Sequence, residues 1–128
     1  MTASLERLVD ERLDGCCDGD VAARVGTLRE YGTAGPADPG DDLAALSALG
    51  SDTRYTVVRL LAAADEALCV CEIEPVLDVS ASAVSHALST LHDAGLVRRR
   101  KEGRWRYYET TPRAEALLDA LDDTREER

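Results

Sequence analysis

The chain is 128 residues long, with 25 acidic and 15 basic residues and a formal net charge of −10. That length suits one domain of ordinary size with a short appendage, and 45% apolar content is enough to build a core, which excludes wholesale disorder. Its apolar runs are far too short to span a membrane, and no basic segment leads into an apolar one as in a signal peptide. The expectation is a cytoplasmic protein with no membrane partner, whose four cysteines are thiols that bind or sense something rather than a disulfide framework.

In chain order, Leu5, Leu8, Val9 and Leu13 fall at helical spacing and predict a short amphipathic helix over residues 4–14. Gly15 ends it and Cys16-Cys17 follow. Asp18 or Asp20 caps a second short helix carrying Val21, Val25 and Leu28. The Gly/Pro-rich stretch 32–40 reads as a linker that reaches at most about 30 Å when extended. Three regions result: an extension with the cysteine pair over 1–40, a main domain over 41–122 and a charged tail over 123–128. Leu43, Leu46 and Leu49 mark a helix from Asp41 that Gly50 stops. Ser51 or Asp52 caps the next, with Val57, Val58, Leu60 and Leu61 buried. Cys69 to Leu77 reads as a third short helix carrying Ile73, Val76 and Leu77, and Asp78-Val79-Ser80 as a tight turn. Residues 81–94 form a fourth helix with Val84, Leu88 and Leu91 inward, stopped by Gly95. Two strands follow, Leu96 to Lys101 and Arg104 to Thr110, with Glu102-Gly103 as the turn. Thr111-Pro112 opens a last helix with Ala114, Leu117, Leu118 and Leu121 on its apolar stripe.

The charge is uneven. Residues 98–106 hold six basic groups and one acid, a net +5, so the other 119 residues carry −15. Lys101 is the one lysine against 14 arginines, and this acidic, lysine-poor composition resembles that of proteins from salt-loving organisms. A concentrated basic patch is what meets a phosphate backbone, whatever the total charge. Helix, tight turn, helix and an arginine-rich hairpin is the order of a winged helix-turn-helix, mainly α with a small β-hairpin. With Val84, Leu88 and Leu91 inward, Ser82, His86, Ser89 and Asp93 point out. Ser82, Ser85, His86 and Ser89 are small or polar groups suited to base edges in a major groove. Arg99, Arg100, Lys101, Arg104 and Arg106 suit phosphate or the minor groove. The competing reading is a solvated, charged strand edge.

The segment Leu77 to Val97 (LDVSASAVSHALSTLHDAGLV) resembles the helix-turn-helix of the ArsR/SmtB winged-helix repressors, and Leu46 to Arg54 (LSALGSDTR) resembles that family's opening. The resemblance runs from Asp41 to Pro112. It implies a homodimer, joined through the first and last core helices, that sits on double-stranded operator DNA with half-sites about 34 Å apart and leaves on binding a metal or metalloid. The sequence carries no phosphate-binding loop and no metalloprotease His pair, and the expectation is that the chain is not an enzyme.

Ala67-Leu68-Cys69-Val70-Cys71-Glu72-Ile73 resembles the cysteine box of arsenite-, cadmium- and lead-sensing members, which implies Cys69 and Cys71 as ligands. Side chains two apart on a regular helix diverge by about 200°, so the two thiols share an ion only at a helix end or on distortion. The alternative is a pair of small buried hydrophobes. The best-known arsenite site has a third cysteine where this chain has Glu74. Soft As(III) takes three thiolates, and Cys16 or Cys17 is the candidate third. Four thiolates also suit tetrahedral Zn(II) or Cd(II). No histidine follows His92, so the family's last-helix metal site is absent. The expectation is a repressor released by As(III) or Sb(III), with Cd(II), Pb(II) or Zn(II) next and no other cofactor. A thiol-redox repressor and a metal-buffering module that binds no DNA are the rivals.

Overall fold

The computed structural model describes residues 3–13 and 18–127. Its contacts divide the chain into two units, Met1–Pro39 and Gly40–Arg128. In the first, α1 (Ala3–Leu13) and α2 (Asp18–Gly32) are helical, and Val9 is buried. Both run as the apolar spacing predicts, although α2 is longer than the short helix expected. No described helix is long and apolar enough to cross a membrane.

The second unit holds α3 (Gly40–Leu49), α4 (Asp52–Ala64), β1 (Leu68–Cys69), α5 (Val70–Ile73), a 3₁₀ turn (Glu74–Val76), α6 (Ala81–Asp93), β2 (Val97–Glu102), β3 (Trp105–Thr110) and α7 (Pro112–Asp123). Short polar side chains set the helix starts. Ser51 Oγ accepts from Arg54 N–H, Ser80 Oγ from Ala83 N–H and Thr111 Oγ1 from Ala114 N–H, each filling one donor that the helix leaves open. Gly95, at φ +77°, ends α6. Its N–H bonds to His92 O, and Leu96 N–H reaches back to Leu91 O, the paired bonds of a Schellman cap. The Arg54 guanidinium closes the end of α3 by donating to Ala48 O at 2.8 Å and Ser47 O at 3.4 Å.

The core is contributed by every helix of this unit. Val57, Val58 and Leu61 of α4, Ile73 of α5, and Val84, Ala87, Leu88 and Leu91 of α6 meet Leu96 just before β2, Val97 and Tyr108 of the sheet, and Ala114 and Leu118 of α7. One bidentate interaction, two hydrogen bonds from Arg59 to Asp122 at 2.9 and 2.7 Å, fastens α7 to α4. Hydrogen bonds from Arg59 first and Arg125 second hold the Asp122 carboxyl down at about 2.

Four elements differ from the sequence expectation. The helix expected from Cys69 to Leu77 is a two-residue strand, one helical turn and a 3₁₀ turn. Pro75 has no N–H to return to Cys71 O, so the α ladder cannot run through it, and residues 68–69 bond to β3 instead. Val76, expected inside, is 66% exposed. The hairpin turn is Gly103-Arg104, not Glu102-Gly103, because Glu102 pairs with Trp105. Gly103 supplies the positive φ, 62°, at the first turn position. Finally, α3 packs through Ala45 and Ala48, while Leu43 and Leu46 are each 59% exposed. The small side chains let α3 approach closely, and the leucine stripe faces outward.

Candidate nucleic-acid interface and thiol pair

Burying Val84, Ala87, Leu88 and Leu91 fixes the rotation of α6 and turns Ser82, Ser85, His86 and Ser89 to solvent. None of the four side chains has a hydrogen-bond partner among the described residues, so their donors and acceptors are open to a ligand. His92 lies round the helix beside Asp93, 3.4 Å from its carboxylate, apart from His86.

The sheet order is β1-β3-β2, all antiparallel. Residues opposite one another across a ladder share a face, and neighbours along a strand alternate. Lys101 opposes Arg106 and Arg99 opposes Tyr108, so Arg99, Lys101 and Arg106 stand on one face with no acid among them. The other face carries Arg98 opposite Glu109, and Arg100 opposite Tyr107. There Arg100 pairs with Glu102 at 3.1 Å and lies over the Tyr107 ring at 5.7 Å. The wing therefore has a cationic face without acids and a face on which Glu102 and Glu109 stand among the cations, Glu102 paired with Arg100. Arg104 is exposed in the turn.

The cysteine box sits where the wing sheet joins the helix-turn-helix. Cys69 ends β1 opposite Tyr107 of β3 and is also the N-cap of α5, with extended backbone at φ −90°, ψ 165°. Its N–H donates to Glu72 Oε1 at 3.0 Å. Because Cys69 precedes the helix and Cys71 lies within its first turn, the two sulfurs converge instead of diverging as they would inside a regular helix. They are closed as a disulfide, with Cα atoms 5.3 Å apart, a departure from the free thiols expected. Cys69 is buried and Cys71 exposed. Both line an open cleft with Val70, Glu74, Arg104, Trp105 and Arg106. Cys16 and Cys17 lie outside the described residues. Among the described residues no cluster of three or more His, Cys, Asp or Glu is placed to hold a metal ion.

Two features of this region escaped the sequence reading. One is the β1 strand, too short to carry a periodicity. The other is Trp105, half exposed on the same sheet face as Cys69; its place between two arginines was a signal for it.

Residues 51–99 match the family model described as "Bacterial regulatory protein, arsR family". Over 126 residues the chain is 51% identical to the "Putative arsenical resistance operon repressor ArsR" of Halobacterium salinarum, covering 97% of both chains. The chain belongs to the ArsR family. It is a transcriptional repressor of the ArsR type, a DNA-binding regulator rather than an enzyme. A solved "Possible transcriptional regulator for arsenical resistance" is 37% identical, with a TM-score of 0.53 over 63% of this chain and 82% of that one. A homodimeric winged helix-turn-helix domain from Mycobacterium bovis, described as a possible ArsR-family regulator, is 26% identical, with a TM-score of 0.58 over 72% of this chain and 92% of that one. The fold of this ArsR-family chain is accordingly the winged helix-turn-helix.

Proposed function

We propose that the chain is a homodimeric operator-binding repressor released when As(III) or Sb(III) binds cysteine thiolates. The observation that carries this reading is the convergence of Cys69 and Cys71 at the junction of wing and helix-turn-helix. The Halobacterium relative's name, an arsenical resistance operon repressor, supports the choice of ion. In the ligand-free state α6 lies in the major groove with Ser82, Ser85, His86 and Ser89 towards base edges, and the cationic face of the wing meets phosphate. The reduced Cys69–Cys71 pair supplies two sulfurs, and Cys16 or Cys17 supplies the third that As(III) takes. Dimerisation uses α3 and α7, where Leu43, Leu46 and Leu121 are exposed and an Arg113–Asp42 ion pair holds the two helices together.

Ligand shifts the bound-to-free equilibrium only by its different affinities for the two forms, typically about 1–3 kcal/mol of coupling. The test is operator release under a thiol-free reductant, titrated in turn with arsenite, antimonite, cadmium, lead and zinc. Arsenite and antimonite release the native chain at the lowest concentrations. The Cys69→Ser chain still binds operator and does not let go. Release of that variant by arsenite refutes the site.

The disulfide favours a second reading, redox release. A peroxide takes two electrons from the two thiols, forming the S–S bond while its oxygens leave as water with the thiol protons. Release by peroxide and not by arsenite selects it.

A further inference from the structure

The cleft that holds the cysteine pair is lined on the wing side by Arg104, Trp105 and Arg106, of which Trp105 is the broadest and most rigid. Trp105 is the chain's sole tryptophan. It is the first residue of β3, the register partner of Glu102 at the wing tip, and 51% exposed. Two residues along the same strand, Tyr107 opposes Cys69, so Trp105, Tyr107 and Cys69 share a sheet face. Trp105 also lines the cleft with both cysteines. Arg99 and Lys101 stand on the opposite sheet face, and their face-mate Arg106 also borders the cleft beside Trp105.

We propose that Trp105 is the positioning residue that reports occupancy of the Cys69–Cys71 pair to the wing, acting through the turn residues Gly103-Arg104 and its neighbour Arg106. The inference rests on the assignment of the thiol pair as the effector site. The cleft is shared, so a heavy atom bridging the two sulfurs claims space beside the indole. A broad, rigid indole has few ways to yield. As the residue that closes the two-residue turn, it carries that turn with it, and with the turn go the guanidinium of Arg104 and the strand start that aims Arg106. Tyr107 and the β1–β3 pairing hold the rest of the strand in register, so the displacement is confined to the tip. This route runs through the sheet and is separate from any pull on the helix preceding α6.

The test uses phenylarsine oxide, which loads a nearby thiol pair whatever the natural effector. Its arsenic forms two As–S bonds, and its oxygen leaves as water with both thiol protons; arsenic remains trivalent. The full chain carries Cys16→Ser and Cys17→Ser, so that Cys69 and Cys71 alone react, and is reduced with a phosphine that is then removed. Operator affinity is measured before and after loading with Trp105, Trp105→Ala and Trp105→Phe, and uptake of one equivalent per chain is verified by mass. The expected ratio of affinities is tenfold or more with Trp105, less than threefold with Trp105→Ala, and largely restored with Trp105→Phe. Tryptophan emission shifts on loading, and the shift disappears in Cys69→Ser/Cys71→Ser, a readout that a purely structural role would not give. Equal ratios for Trp105 and Trp105→Ala overturn the proposal, as does no change on loading the Trp105 chain. If phenylarsine oxide acts through Trp105 while inorganic arsenite fails to release the native chain, the effector assignment fails and the coupling stands.

Discussion

The two faces of the wing make a sharp prediction because they carry similar numbers of cations in different company. Lys101 and Arg106 are register partners on the face with no acid, whereas Arg98 and Arg100 stand opposite or beside Glu109 and Glu102. Lys101→Ala/Arg106→Ala and Arg98→Ala/Arg100→Ala each remove two positive charges. A view that counts only net charge predicts the same loss. The structure predicts different ones. Each phosphate contact contributes a slope of about −0.9 to log K against log salt. In a dimer the first pair removes four contacts, a slope change of about 3.6. A fourfold rise in salt therefore weakens the native chain about 150-fold more than that variant. The second pair takes the ion-pair partner from Glu102, leaves Glu109 with no cation across the ladder and removes few direct contacts, so its slope stays within about one unit of native. Fluorescence anisotropy with operator DNA over a salt series reads both. Equal slope changes in the two variants, or none in the first, refute the assignment of the phosphate-facing side.

Three further expectations follow from the packing. Leu88→Ala, at a fully buried position between α6 and the rest of the core, costs about 2–5 kcal/mol in urea unfolding. Leu46→Glu places a charge on the exposed leucine stripe of α3; it leaves the unfolding of the monomer nearly unchanged and moves sedimentation equilibrium from dimer to monomer, with loss of tight operator binding. The Asp122 carboxyl is depressed to about 2 by Arg59 and Arg125, so its contribution is complete above the ordinary carboxylate range and is lost as pH falls through about 2. Asp122→Asn therefore flattens that acid limb in a circular-dichroism titration and leaves the curve above pH 5 parallel to native.

The sequence exposed features that act over a few residues. Ser51, Ser80 and Thr111 as caps, Gly95 as stop and the inward set Val84, Leu88 and Leu91 are each fixed by local hydrogen bonding or by one helical period. It hid features whose cause lies elsewhere in the chain. Leu68 and Cys69 are a strand only because β3 offers them an edge far along the chain, at Tyr108 and Tyr107. The outward turn of Leu43 and Leu46 follows from the close approach that Ala45 and Ala48 permit, and three leucines at helical spacing carry no sign of which side is inside. Pro75, by contrast, was a readable break in the segment predicted as one helix. The cysteine box was legible as a motif, but its opposition to the wing strand was not, since that is a statement about register.

A chain at −10 that binds DNA must do so by placement rather than by total charge. The carboxylates of α7 at Asp119, Asp122 and Asp123 and of α3 at Asp41 and Asp42 lie on other elements than the exposed face of α6, whose one acid, Asp93, comes at its last residue. This arrangement limits what the acidic body can do to a phosphate only if screening is short. At 1 M salt the Debye length is about 3 Å, so repulsion from those carboxylates is confined to atoms in contact, and so is attraction. What survives is direct, charge-assisted hydrogen bonding, where arginine's planar fork holds an advantage over the point charge of lysine. The wing's basic set is arginine at every position but Lys101. In such salt, an arginine-rich wing on an acidic body favours recognition at contact distance over long-range steering.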